Sequence, residues 1–293
     1  MAEILRFTVP PSFDGKPAKW FLKDFCSLST RMITRLKREK EGIMVNGKIL
    51  RTVDPVFADQ EVVIRLRDEE PSFIEPVEGV LDIVFEDSFL LVVNKPPQMP
   101  VHPVKQHQLD TLANIVSHYS QSRGEQYVFR ALNRLDRNTS GLVMICKDKF
   151  TVFKLKNCVE KTYYALVHGE LSDSGTVNAP IGLTEDSKIV RHVLTEGSPA
   201  ITHYKPLYSS KEYSYIQLTL ETGKTHQIRC HMAYLGHPLL GDDLYGGLTD
   251  KISRQALHCG EMRFEHPVTG ELVCLSAPLP ADMRSILTKQ TDG

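Results

Sequence analysis

Asn133-Arg134-Leu135-Asp136-Arg137-Asn138-Thr139-Ser140-Gly141 is a charged stretch set between two apolar runs, residues 127–132 and 142–146. The runs are short and rich in Val, Ile, Leu and Phe. They read as buried strands, and the segment joining them reads as a loop on which a site is displayed. Asn, Ser and Gly supply turn chemistry, and an Asp can bond its own backbone, so a plain turn explains part of the stretch. It does not explain why two arginines flank one carboxylate between strands that need neither charge. Asp136 is therefore the candidate functional carboxylate, with Arg134 beside it.

Bulk properties narrow the class. A chain of 293 residues that is 41% hydrophobic can bury a sizeable core and has room for one large and one small domain. No apolar run approaches the roughly 20 residues of a membrane span. The N-terminus lacks the basic-then-apolar layout of a secretory signal, so a cytoplasmic protein with no membrane partner is expected. Six cysteines without a Cys-x-x-Cys pair read as reduced thiols, not as a disulfide or zinc framework. A net charge of -1 argues against indiscriminate nucleic-acid binding and leaves room for a local basic patch.

Working outward toward the N-terminus, Ile4, Phe7 and Val9 suit a short pairing strand, and residues 20–25 suit an apolar helix. Ser29 can cap a second helix in which Met32, Ile33 and Leu36 form one buried stripe. Its other face carries Arg31, Arg35, Lys37, Arg38 and Lys40. Asn46-Gly47 is a hairpin signal between short apolar strands, and residues 61–66 alternate as another strand. Residues 68–79 are polar and punctuated by proline, the pattern of a linker. The expected organisation is a small module over residues 1–70, a linker over 71–79 and a large domain over 80–293. Within the large domain, residues 81–85 and 89–93 read as a pair of strands. Asp110 or Thr111 can cap a helix whose apolar face is Leu112, Ile115, Val116 and Tyr119.

Downstream of the loop, residues 150–159 read as helix and 161–169 as strand, with Tyr163, Ala165 and Val167 on one face. Residues 213–220 alternate as a strand and lead into Thr222-Gly223-Lys224-Thr225-His226-Gln227-Ile228-Arg229. Gly-Lys-Thr suggests a phosphate loop, but the earlier glycine of that motif would fall at Leu218, inside the strand. A tight turn and a short helix remain, with Thr225 as cap, Gly236 as end and Ile228, Met232 and Leu235 as the buried stripe.

Three stretches resemble the motifs of the RluA-type pseudouridine synthases, which convert uridine in RNA to pseudouridine. The loop is similar to their His-Arg-Leu-Asp-x-x-Thr-Ser-Gly, with Asn133 where His is commoner. Lys161-x-Tyr163-x-Ala165-x-Val167-x-Gly169 matches their second motif. Residues 222–231 match Thr-Gly-Arg-Thr-His-Gln-Ile-Arg-x-His, with Lys224 in place of Arg, which keeps a cation and loses the planar fork. The likeness runs from about residue 81 to 280 and includes Gly236-His237-Pro238 and Gly241-Asp242-x-x-Tyr245-Gly246. Residues 16–67, a basic helix followed by a Val-Asn-Gly hairpin, resemble the RNA-binding module of ribosomal small-subunit protein four.

The resemblance implies an α+β fold, a mainly antiparallel mixed sheet with surrounding helices and a central RNA-binding cleft, beside a small N-terminal α/β RNA-binding module. It implies an isomerase acting on uridine in structured ribosomal or transfer RNA, working as a monomer without metal or cofactor. Asp136, Arg229 and Tyr163 are the implied catalytic residues. Asp136 adds to the ring, attacks the anomeric carbon or assists proton removal. Arg229 pairs with it against the tendency of an enclosed carboxylate to take up a proton. Tyr163 packs on the uracil ring. Because the target base must leave its stack, Arg134 is expected to fill the gap or hold a phosphate, with Lys161 and Lys224 also on the RNA side. Arg31, Arg35, Lys37 and Arg38 are the RNA-facing cations of the small module. Two rivals differ in class. A metal-dependent hydrolase would draw on His226, His231, His237 and Asp242, and a non-catalytic RNA-binding protein would rest on the basic helix alone.

Overall fold

The computed structural model describes residues 2–26, 28, 30–67, 74–125, 127–185, 187 and 189–288. Among them no helix is long and apolar enough to cross a membrane. The six cysteines are free thiols. The chain divides into two compact units, Met1–Ser72 with Asp148–Lys154, and Phe73–Lys147 with Leu155–Gly293.

The first unit contains β1 (Ala2–Thr8), α1 (Ala18–Trp20), α2 (Thr30–Leu36), β2 (Ile43–Val45), β3 (Lys48–Ile49) and β4 (Glu61–Arg67). α1 runs on into a wider π turn over Phe21–Phe25. The sheet has the order β1-β4-β2-β3 and is antiparallel throughout. Asn46 and Gly47, at φ 48° and 76°, form the tight turn between β2 and β3 that their residue types favour. Ile33 and Leu36 of α2 are buried in the core with Phe21, Leu22 and Ile64. The expected cap, Ser29, lies outside the described residues. The helix ends earlier than its charge pattern suggests. Arg38 and Glu39 donate their N–H groups back to Arg35 and Leu36. Lys37 and Arg38 therefore stand exposed in a turn and not on a helix face.

The second unit carries β5 (Ile83–Glu86), β6 (Leu90–Lys95), α3 (Leu112–Ser122) and β7 (Ser140–Cys146), followed by α4 (Lys149–Leu155), whose first six residues belong to the first unit. β8 (Glu160–His168), β9 (Gly175–Asn178), β10 (Ile181–Leu183), β11 (Arg191–Val193), β12 (Ile201–Ser209) and β13 (Tyr213–Leu220) come next. α5 (Gln227–Tyr234), β14 (Leu257–Glu265), β15 (Leu272–Ser276) and α6 (Ala281–Thr288) complete it. Nine strands form one sheet of order β5-β6-β7-β14-β8-β13-β12-β9, with β15 paired to β14. Among the described residues only the β7–β14 pairing of this sheet is parallel, so the fold is α+β with a mainly antiparallel mixed sheet. Every residue of β7 is buried. At about 1.5–3 kcal/mol for each fully buried large aliphatic side chain, this central strand anchors the unit.

Several local expectations are corrected. Residues 127–132 are extended but form no strand: Leu132 N–H bonds Met144 O and Cys146 N–H bonds Arg130 O, and an isolated bridge joins Ala131 to Ile145. The ladder stops there because the Asn133 side chain takes the next places. Its Oδ1 accepts from Met144 N–H at 3.0 Å and its Nδ2 donates to Leu142 O at 3.1 Å. Residues 74–79, linker-like in composition, lie against α3. Val77 N–H bonds Asn114 O, and Asn114 Nδ2 bonds Glu75 O. The cap of α3 agrees with expectation: of Asp110 and Thr111 it is Thr111, in a reciprocal box with Asn114. α4 ends at Leu155, and its Phe150 and Phe153 pack on the core of the first unit. Residues 182–198, whose polar composition points to no element, contain most of the two-stranded β10–β11 sheet.

Candidate active site

The loop of residues 133–139 is fastened from below by groups distant in sequence. Asn133 clips its start to β7. Met99 N–H and Lys95 Nζ both bond Arg137 O, at 3.1 and 3.2 Å. Arg254 Nη1 bonds Asn138 O at 3.1 Å. Thr139 N–H bonds Asp136 O at 3.0 Å, closing the turn. At the exit, Gly141 sits at φ +113°, and a Cβ there would lie 2.2 Å from Cys259 O of β14, so only glycine allows the approach. Ser140 Oγ lies 3.0 Å from His258 Nδ1. Asp136 is thus presented by a rigid turn at the start of the central strand.

Lys95, at the Lys95-Pro96-Pro97 break that resembles the family's opening hairpin, is given no role by the sequence. Its side chain is fully buried, and Nζ donates to Pro96 O, Met99 O and Arg137 O, three carbonyls for three N–H groups of an ammonium. Burial, then the charge of Arg254, draws its pKa down to about 7, and Asp136 acts in the other direction.

Arg229 reaches Asp136 from α5. A flanking arginine of this kind is ordinarily exposed, yet here it is 6% exposed. Its Nη1 donates to Asp136 Oδ2 at 3.2 Å. Its stronger contacts go elsewhere, Nε to Asp242 Oδ2 at 2.7 Å and Nη2 to Asp242 Oδ1 at 2.6 Å. Burial opposes the arginine charge, and the hydrogen bonds and charge of Asp242, followed by those of Asp136, hold its pKa above the usual value. The helix cap also differs from expectation. His226, not Thr225, is the N-cap residue, at φ 58° in the left-handed region, and its side chain makes no capping bond. Gln227 closes the turn, its Oε1 accepting from Lys224 N–H and Thr222 Oγ1 while its Nε2 donates to Ile201 O. The unusual backbone aims the His226 ring at the site: Nε2 is 3.8 Å from Asp136 Oδ2 and Nδ1 is 3.0 Å from Tyr245 Oη.

Tyr163 comes from β8 and is 7% exposed. Burial first, then its Cys259 neighbour, raises its pKa well above the ordinary phenol value, so the hydroxyl is protonated at neutral pH. Asp136, Tyr163 and Arg229 line one pocket of about 60 Å³ together with His226. The pocket shares Arg134, Asp136, Tyr163 and Lys224 with a larger cleft of about 640 Å³. Arg134 and Lys224 are exposed on that cleft. Lys161 lines it half-buried, with Nζ on Val159 O at 2.9 Å and its pKa lowered by burial. Lys156, which sequence reasoning did not single out, adds a further exposed cation. Arg35, Lys37 and Arg38 belong to the first unit, where Arg35 lies 3.8 Å from Glu39; the Arg31 side chain lies outside the described residues. Of the groups a hydrolytic metal centre would have used, His231 bonds Thr202 and Ala179 O, and His237 bonds His168 O. Asp242 is taken by Arg229.

A fold with a carboxylate held by an arginine in a cation-lined cleft suits an enzyme that works on an anionic polymer. The family model for RNA pseudouridylate synthase matches residues 89–234. The chain is 39% identical over 260 residues to the uncharacterized RNA pseudouridine synthase YhcT of Bacillus subtilis (strain 168), covering 86% of this chain and 84% of that protein. It is 36% identical to ribosomal large subunit pseudouridine synthase D of Vibrio parahaemolyticus, covering 82% and 80% of the two chains. Among solved structures it is similar to human RNA pseudouridylate synthase domain containing 1, with a TM-score of 0.56 and 25% identity over 77% of this chain and 98% of that one. The chain belongs to the RNA pseudouridine synthase family and is an isomerase of uridine in RNA.

Proposed function

We propose that the protein isomerises uridine at a defined position of structured RNA, with Asp136 as the catalytic carboxylate and large-subunit ribosomal RNA as the first substrate to try, ahead of transfer RNA. The observation that carries this reading is that Asp136 is the only carboxylate among the described residues lining the smaller pocket, and that it is held there by Arg229 at 3.2 Å. The choice of RNA rests on relatives at 33–36% identity that are named ribosomal large subunit pseudouridine synthase D.

In the reaction the bond between uracil N1 and ribose C1′ breaks, the ring turns and C5 joins C1′. The proton on C5 then leaves and N1 gains one, so nothing is oxidised or reduced. Asp136 supplies the negative charge this exchange needs at the sugar or the ring. Arg229 places a cation on that carboxylate at 3.2 Å. The Tyr163 ring offers the flat face on which the base rests, and its protonated hydroxyl is a donor, not a base. Arg134 takes the place of the base turned out of its stack, and Lys224, Lys161 and Lys156 meet the flanking phosphates. The small N-terminal module adds RNA affinity through Arg31, Arg35, Lys37 and Arg38. The protein acts as a monomer in the cytoplasm without a cofactor.

The test is tritium release from ribosomal and transfer RNA carrying uridine labelled at ring carbon five, followed by mapping of the pseudouridines formed. Release at one or a few discrete positions is expected. No release from either class of RNA by the folded protein would contradict the reading.

A further inference from the structure

We infer that the turn from Asp242 to Tyr245 is a positioning element of the isomerase site, holding both groups that flank Asp136: Asp242 orients Arg229, and Tyr245 orients His226. The inference rests on the assignment of Asp136 as catalytic carboxylate. Asp242 is fully buried, and both its oxygens are spent on Arg229, at 2.6 and 2.7 Å. That fork fixes the guanidinium plane and leaves Nη1 pointing at Asp136. The Tyr245 ring lies 5.0 Å from the same guanidinium. The Tyr245 hydroxyl accepts from Arg191 N–H at 2.9 Å, so its own hydrogen can go to His226 Nδ1, 3.0 Å away. The imidazole proton then resides on Nε2, the nitrogen that faces Asp136.

The turn itself is built to hold still. Tyr245 N–H and Gly247 N–H both bond Asp242 O. A Cβ on Gly247 would lie 1.9 Å from Leu239 O, so the chain closes tightly against its own preceding segment. The groups facing His226 are Asp136 from the loop, Arg229 from α5, Asp242 and Tyr245 from the turn and Arg191 from β11. Burial, the largest of these influences, lowers the imidazole pKa from its ordinary value, and Asp136 acts in the other direction.

Asp242→Asn keeps the size of the side chain, removes its charge and turns one arm of the fork into a contact between two donors. Under single-turnover conditions with saturating enzyme, its rate should fall on the order of 100-fold, the scale of a reacting group displaced by about an ångström. RNA affinity should stay within a few-fold, and the acid limb of the pH–rate profile should be displaced. Tyr245→Phe leaves the ion pair intact and should lose about tenfold, the scale of one hydrogen bond, with the acid limb also displaced. If Asp242→Asn does not fold, Tyr245→Phe decides. Wild-type rates and an unchanged profile in the folded variants overturn the inference, as does a loss confined to RNA affinity. Asp136→Asn measured alongside separates the two readings. If it turns over, the assignment of Asp136 fails; if it is inactive while the turn variants behave as wild type, only the positioning role fails.

Discussion

Arg229 and Arg254 are two versions of the same device, and the difference between them separates chemistry from scaffolding. Both are nearly buried, at 6% and 4% exposure, and both grip an aspartate with a two-point fork. They differ in the remaining nitrogen. Arg254 Nη1 is directed at backbone carbonyls of Asn138, Gln255 and Leu257, so it ties the loop down with neutral acceptors. Arg229 Nη1 is directed at the Asp136 carboxylate, whose side chain is 27% exposed toward the cleft. The charge of Arg254 ends in structure, whereas that of Arg229 is delivered to a group that substrate can reach.

The sharpest break between the two comes from replacing each with methionine, which keeps much of the aliphatic stem. Arg229→Met leaves Asp242 buried without a partner, and breaking such a pair typically costs about 3–5 kcal/mol of stability. Activity per folded molecule should fall on the order of 100-fold at neutral pH. An enclosed carboxylate without its cation holds a proton to higher pH, so part of the activity should return as pH rises. Arg229→Lys, with the charge but not the fork, should be impaired less. A single-turnover pH–rate profile checks this, and a wild-type rate with an unmoved acid limb would make Arg229 a second Arg254.

Arg254→Met should show the opposite balance. One carbonyl of the loop, that of Asn138, loses its donor, a cost of about 1–3 kcal/mol, with the Asp282 pair adding little because that carboxylate is 38% exposed. The folded variant should keep its acid limb and lose less than about tenfold in rate. Thermal melts beside the same kinetic profile would check it. A displaced limb would mean that the fastening below the loop also sets its chemistry.

The smallest effect is expected in the first unit. Removing the whole module is a poor test, because Phe150 and Phe153 of α4 pack on its core and would be uncovered. Lys37→Glu with Arg38→Glu alters two exposed turn residues instead. RNA affinity should weaken without change in the single-turnover rate. The slope of log affinity against log salt should shrink by about 0.7–0.9 for each phosphate that is no longer neutralised. An unchanged slope would mean that these cations are merely solvated.

How much of this is legible in the chain depends on the range of the interaction. Signals carried by neighbours in sequence are readable: the Asn46-Gly47 turn, the alternation of β13, the stripe of α3 and the loop around Asp136. Features made by distant partners are not. Residues 127–132 have strand composition, but the Asn133 amide occupies the next rungs of β7, and nothing in the local pattern announces that. α4 is apolar on a face that serves the first unit. Family resemblance places Arg229 and Asp136 together and includes Asp242 in the Gly241-Asp242-x-x-Tyr245-Gly246 match without giving it this partner, because a carboxylate 13 residues from its arginine leaves no periodic trace. A signal is present all the same. An acid placed between glycines that pack on backbone is an unlikely surface turn, and here it is buried.

The central claim is that Asp136 carries the chemistry while the residues around it hold it in place. Asp136→Asn is nearly the same size, keeps an acceptor for Arg229 and is neither a strong nucleophile nor a base. Tritium release by this variant, measured in a single turnover on the RNA that the wild-type protein modifies, tests the claim most directly, with the substitution verified and reversion by deamidation excluded. The account predicts a folded protein that binds the RNA and releases no tritium. Substantial release would contradict it.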